Sequence, residues 1–351
     1  MIVTLLSGDR PRSPLLTLIL LAILAGLALA PFLFPGVRSL ETAARICIFI
    51  VLVASYDLLL GYTGIVSFAH TMFFGLGAYG VALASEHIGR GFGALAVGTV
   101  AGAVAAALLA MVIGLFSLRV RAIFFAMITL AVASAVAVLV SQLSQITGGE
   151  DGLNYRIPRE LTPAFRWGGK LFDVNLNGKL LNYYLVFFCS LGLFLLMLRI
   201  VNSPFGRVLQ AIRENDFRAE AIGYRVVRYR VAATCISAAV AALAGSLFAV
   251  WLRYVGPDTT LSFEIMLDIL LMVVIGGMGT MYGAVVGATL FVLAQNYLQN
   301  LMGLASGATE GVPVVSDLLD PDRWLLWLGV LFILSVYFFP TGIVGRLRAG
   351  R

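Results

Sequence analysis

Ten long apolar runs, separated by short polar or glycine-rich stretches, account for most of the chain: Leu15 to Phe34, Ala43 to Leu60, Gly61 to Gly80, Phe92 to Leu118, Ile123 to Val140, Leu180 to Val201, Tyr229 to Tyr254, Glu264 to Gly277, Ala284 to Leu301 and Trp324 to Phe339. Most are near the ~20 residues that a helix needs to cross a hydrocarbon core, and each predicts a membrane span, Glu264 to Gly277 a short one. The stretch from Asn202 to Arg230 is the exception and is too polar to cross. With Arg199 just before it, it holds Arg207, Arg213, Arg218, Arg225, Arg228 and Arg230 against Glu214, Asp216 and Glu220. From Gly206 to Ile222 its apolar positions Val208, Ile212, Ala219 and Ile222 fall roughly on one side of a helix. Ser203 is placed to cap that helix, Pro204 to occupy its first turn and Gly223 to stop it.

Glycine interrupts two runs. Gly61, Gly64, Gly75, Gly77 and Gly80 lie in one nominal span with Ser67 and His70, which predicts either close helix packing or a broken helix. Ser67 and His70 are three residues apart and share a helical face. An ionisable group inside a span usually faces a cavity, so this face, with Gly64 and Gly75 nearby, is expected to line a pathway. The second interruption is GGMGTMYG, where Gly276 and Gly277 predict a tight hairpin or a re-entrant break that lines the pathway. Each interruption follows an apolar run containing an aspartate, Asp57 or Asp268, a pattern that hints at duplication.

Composition agrees with the pattern. Hydrophobic residues are 60% of the 351 and charged residues 12%, about half the charge of a soluble domain. The expected fold is all-α: one polytopic membrane domain over residues 1–351, with about ten transmembrane helices. The net charge of +6 comes largely from arginines in short loops beside spans, where positive-inside bias explains it without nucleic acid. Starting inside at Arg10 and Arg12, opposite Asp9, ten crossings put Arg119, Arg121, residues 202–230 and the tail with Arg346, Arg348 and Arg351 inside. The loops around Glu150 and Glu310 then lie outside, the latter with Asp317, Asp320 and Asp322. Both termini are expected in the cytoplasm. Residues 147–179, where Asp173 is one of four acids that nearly balance five bases, form an outward loop long enough for an interfacial helix or a partner contact. The first apolar run is read as a retained span, being longer than the usual apolar core of a signal peptide. Cys47, Cys189 and Cys235 sit in apolar runs and predict packing rather than disulfides or metal ligands. No HExxH, CxxC or P-loop motif is present, so the sequence offers no recognisable active site and no such site for ATP.

Residues 202–230 admit three readings: a solvated connector, a helix at the lipid surface, or a helix that docks in a groove on a soluble partner. The run AIRENDFRAEAIGYRVVRYRVAATCISAAVAALAGSLFA resembles the cytoplasmic coupling loop and following helix of permeases in the bacterial branched-chain amino acid ABC transporter family, M-type subunit. SFAHTMFFGLGAY, TGGEDGL and GGMGT resemble further motifs of that family. The resemblance covers residues 45 to 345 or so. It implies an inner-membrane permease of an importer, not an enzyme, with two ATPase subunits, a sister permease and a periplasmic binding protein as partners. It also implies that ATP is used by the partner subunits and that this chain holds no cofactor of its own. Ala211, Ile212, Ala219 and Ile222 are then expected as apolar anchors for the ATPase, with Arg213, Glu214 and Glu220 as polar contacts and Gly223 as the turn. Here Gly223 follows Glu220 and Ala221 almost directly, whereas the broader coupling motif places its glycine further on. The competing class is a self-sufficient secondary transporter or channel, which would need its own ion or selectivity site.

Overall fold

Hydrogen bonding within each apolar run gives the protein its form, because backbone groups in lipid must be satisfied inside their own segment. The computed structural model describes residues 13–33, 36–117, 122–171, 174–308, 320, 323–339 and 341–349. Helices α1 (Pro14–Leu33), α2 (Val37–Thr63), α3 (His70–His87), α4 (Phe92–Ser117), α5 (Ala122–Gln142) and α6 (Gly178–Asn202) come first. The short α7 (Pro204–Glu214) and α8 (Asp216–Ala221) are followed by α9 (Val226–Leu252), α10 (Phe263–Gly276), α11 (Met281–Ala308), α12 (Trp324–Phe338) and α13 (Gly342–Ala349). Nine stretches among the described residues are long and apolar enough to cross a membrane; α3 is not one of them. It is enclosed instead, packing on α4 and α9.

Burial sorts the helices. The buried share is 83% for α2 and 72% for α9, against 17% for α1 and 11% for α5. Helices apolar on every side and buried form the centre, and α1 and α5 present Leu18, Leu21, Ile123 and Met127 outward as lipid would require. Small residues allow the central contacts. At Gly77 an added Cβ would collide with the carbonyl of Ala242 on α9, which is the close backbone approach that small residues permit in membranes.

Several boundaries differ from the sequence reading. The second predicted span begins six residues early, at Val37, because Arg38 and Glu41 continue the helix at its end and stay accessible there. Residues 147–179 hold no interfacial helix among the described residues. They contain 3-10 turns at Gly149–Asp151 and Arg159–Leu161 and a hairpin of β2 (Arg166–Leu171) with β3 (Val174–Asn177). A two-residue strand β1 (Leu153–Asn154) pairs antiparallel with β4 (Tyr254–Val255), tying this loop to the end of α9. Phe34, Leu118 and the topology charges Asp9, Arg10, Arg12, Arg119, Arg121, Asp173, Glu310, Asp317, Asp322 and Arg351 lie outside the described residues.

Candidate functional site

The first glycine interruption is a true break. Gly64 adopts φ 71°, a left-handed conformation that costs glycine least, and Ile65 N–H bonds back to the Leu59 carbonyl at 3.1 Å. The chain then folds back along α2 until His70 lies level with Ser55, where His70 Nε2 and Ser55 Oγ are 2.8 Å apart. Ser55 donates its hydroxyl to the Leu52 carbonyl at 2.7 Å, which leaves its oxygen to accept from His70 Nε2–H. Tyr56 meets the same ring edge-on at 5.1 Å. His70 is fully buried and Ser67 is 1% exposed, with its Oγ accepting from Ala69 N–H at 3.4 Å. These two residues therefore sit in the packed core. The side chains of the break that line a cavity are the intervening Phe68 and the following Thr71. Gly75 on α3 rests against Leu261.

The polar segment is helical but not one helix. Asn215, at φ −161°, separates α7 from α8 and caps the second helix by accepting from Arg218 N–H at 2.9 Å. Ser203 caps α7 by position only; its hydroxyl bonds back to Ile200 O at 2.6 Å. Gly223, at φ 98°, ends the segment, with Gly223 N–H on Glu220 O and Tyr224 N–H on Ala219 O. Ile212 and Ala219 turn inward and cluster with Val226. That inward face is not available to a partner. Ala211, Arg213, Glu214, Glu220, Ile222 and Gly223 are on the surface, and Phe217, 80% exposed, stands with Ile222, 70% exposed, as the apolar surface of the segment. Phe217 escaped the periodicity argument because the break at Asn215 resets the helical register.

The two glycine interruptions and the polar segment meet at one end of the bundle. Arg213 Nη1 donates to the carbonyl of Gly61, in the last turn of α2. Asp57, one turn earlier and 1% exposed, accepts from Gly279 N–H at 2.9 Å. An added Cβ at Gly61 would strike both the Asp57 carboxylate and Gly279, so α2 and the second interruption touch through backbone. Gly276 ends α10, Gly277 turns the chain at φ 116°, and Thr280 Oγ1 closes the turn on Gly277 O at 2.7 Å. Of the two alternatives for this interruption, the structure is the tight hairpin. Gly342 of α13 packs directly on Gly277.

The opposite end is basic. Two cavities share Leu252 and Arg253 as a wall. One, of about 420 Å³, is lined by Arg38, Arg45 and Lys179, with Glu41 3.5 Å from Lys179. The other, of about 380 Å³, is lined by Arg90, Arg156 and Arg159. Arg253 has the only positive φ of any non-glycine residue among those described, 61°. Tyr155 also lines the second cavity; burial pushes its phenol up and Arg253 opposes that shift. Among the described residues no group of three metal-binding side chains occurs.

Comparison with known proteins gives a consistent result. Residues 39–336 match the family described as "Branched-chain amino acid transport system / permease component". The chain is 28% identical over 345 residues to the high-affinity branched-chain amino acid transport system permease protein LivM of Salmonella typhimurium, covering 94% of this chain and 75% of that one. It is 27% identical over 324 residues to LivM of Escherichia coli, covering 88% and 71%. A probable LivM of Methanocaldococcus jannaschii is 28% identical over 163 residues, 46% of this chain and 45% of its own. No solved structure matches.

Proposed function

This chain belongs to the permease-component family of branched-chain amino acid transport systems, and from that premise we propose how its two ends divide the work. As a permease subunit it is a multi-pass transport protein and not an enzyme. The reading places it in the bacterial inner membrane with both termini in the cytoplasm. It forms, with a sister permease, a path for leucine, isoleucine, valine or a related small amino acid or amide. Separate ATPase subunits drive the path, and a periplasmic binding protein supplies it.

The observation that carries this reading is the junction of α7, the end of α2 and the Gly276–Thr280 turn through Arg213, Gly61, Asp57 and Gly279. A segment that only connects two spans has no need to grip the backbone of a broken helix. Phe217 and Ile222, with Glu214 and Glu220 around them, offer the few apolar anchors and orienting charges of a docking helix. The path passes the break that begins at Gly64, on the side of Phe68 and Thr71, while Ser67 and His70 hold the break against the core. At the opposite end, Arg90, Arg156, Arg159 and Arg253 suit an acidic surface on a soluble partner. The test is reconstitution of the complete transporter in vesicles: ATP-dependent leucine uptake that requires both the ATPases and the binding protein supports the reading. Leucine uptake by this chain alone, driven by an ion gradient, would support the self-sufficient transporter instead.

A further inference from the structure

Beside the broken helix lies a cavity of about 260 Å³ between α3, α5 and the stretch from Pro257 to Phe263. It is smaller than the ~300–1,000 Å³ of sites for drug-sized ligands, which suits one small solute. Phe68, Leu130, Leu261 and Phe263 give it an apolar lining, and Phe68 and Phe263 hold their rings 6.1 Å apart. Thr129 on α5 secures the wall by accepting from Phe68 N–H at 3.1 Å while donating to Ala126 O at 2.8 Å. Its other wall is direct packing of Gly75 on Leu261.

Two independent features make this more than a gap. The first backbone bond of α3 runs from Phe73 N–H to Ala69 O, which leaves the amides of His70, Thr71 and Met72 at the end of an 18-residue helix without a helical acceptor. No side chain caps that end. Separately, Thr71 is 2% exposed and lines the cavity, and its hydroxyl makes no hydrogen bond among the described residues. A hydroxyl that opens onto a cavity from a buried side chain, with no partner among the described residues, is free to bond a polar group there. Asp258 adds a carboxylate to the same lining.

We infer that this cavity is a transit subsite for an α-amino acid with a short apolar side chain. The amino end of α3 and the Thr71 hydroxyl receive its carboxylate, Asp258 its ammonium group, and Phe68, Leu130, Leu261 and Phe263 its side chain. Unsatisfied amides and a positive dipole end favour an anionic group there. This rests on the permease reading above and adds to it the place where the substrate pauses. Helix α5 is the most exposed of the nine spans among the described residues, so the cavity has one wall that is lightly held.

The test uses Ser134, an exposed residue on the α5 wall, as reporter. In the complete transporter carrying Ser134→Cys, alkylation by a small maleimide is measured with leucine, isoleucine, valine or glutamate present. The three apolar amino acids should slow labelling and glutamate should not. Adding Thr71→Val, which keeps the side-chain outline, should raise the leucine concentration needed for protection about tenfold, the scale of one hydrogen bond to a charged group. Thr71→Ser should restore it. Equal protection in Thr71→Val, or no protection or no labelling in a transporter that does take up leucine, overturns the subsite while leaving the permease reading intact. A wild-type complex that takes up no branched-chain amino acid overturns the reading and the subsite with it.

Discussion

Arg213 donates its guanidinium to the carbonyl of Gly61, 152 residues earlier in the chain, and so ties the polar segment to the helix that breaks one turn later. Gly279 completes the junction by donating to Asp57 at 2.9 Å. A displacement of α7 would therefore bear on the last turn of α2 and on the second glycine turn together.

The Asp57 contact predicts a stability effect. Asp57→Ala leaves the Gly279 amide without this acceptor, which costs about 1–3 kcal/mol. The purified variant should lose thermal stability in detergent by that amount. An unchanged melting temperature would mean that the turn relaxes onto another acceptor.

Core placement of Ser67 and His70 sets a different expectation from a lining role. A bulky apolar residue at Ser67 has no space to enter, and overpacking costs about 1–3 kcal/mol, so Ser67→Leu should lower the yield of folded protein and its assembly with partners. Normal yield with impaired uptake would instead return Ser67 to the path.

The exposed side of the polar segment should carry the partner contact. Phe217→Asp and Glu220→Lys each leave the buried Ile212, Ala219 and Val226 cluster untouched. Each should reduce capture of the ATPase subunits, with loss of the Phe217 ring costing 2 kcal/mol or more, as hot-spot aromatics do, by the order-of-magnitude scale of about 2–4 kcal/mol. Pull-down of wild-type amounts by both variants would leave only a solvated connector.

Gly77 gives a packing prediction away from either end. Gly77→Leu drives a side chain into the Ala242 carbonyl, and separation of α3 from α9 should lower stability by roughly 1–3 kcal/mol or more. The check is the fraction of monodisperse protein on size exclusion.

Much of this architecture was legible in the sequence. The apolar runs marked nearly every span, because span length in a bilayer is fixed by thickness and admits few alternatives. Glycine and Ser67 with His70 marked the break, yet spacing alone offered packing and interruption equally; in the structure both occur, with Gly64 ending a helix and Gly77 admitting a neighbour. The strand pairing of Leu153 with Val255 was not legible, since two-residue strands have no period to read. Nor was the Arg213 junction, because the sequence reading gives Arg213 to the ATPase as a polar contact and only the fold brings Gly61 within its reach. The two glycine interruptions meet through Asp57 and Gly279, a contact that their likeness in sequence does not specify.

In the proposed function, ATP-driven motion reaches the path through Arg213. The direct measurement is leucine transported per ATP hydrolysed in vesicles containing the complete transporter with Arg213→Ala. ATP hydrolysis and ATPase capture should persist while uptake per ATP falls about tenfold, the factor that ~1.4 kcal/mol of lost coupling would produce. Wild-type uptake per ATP in that variant would contradict the account.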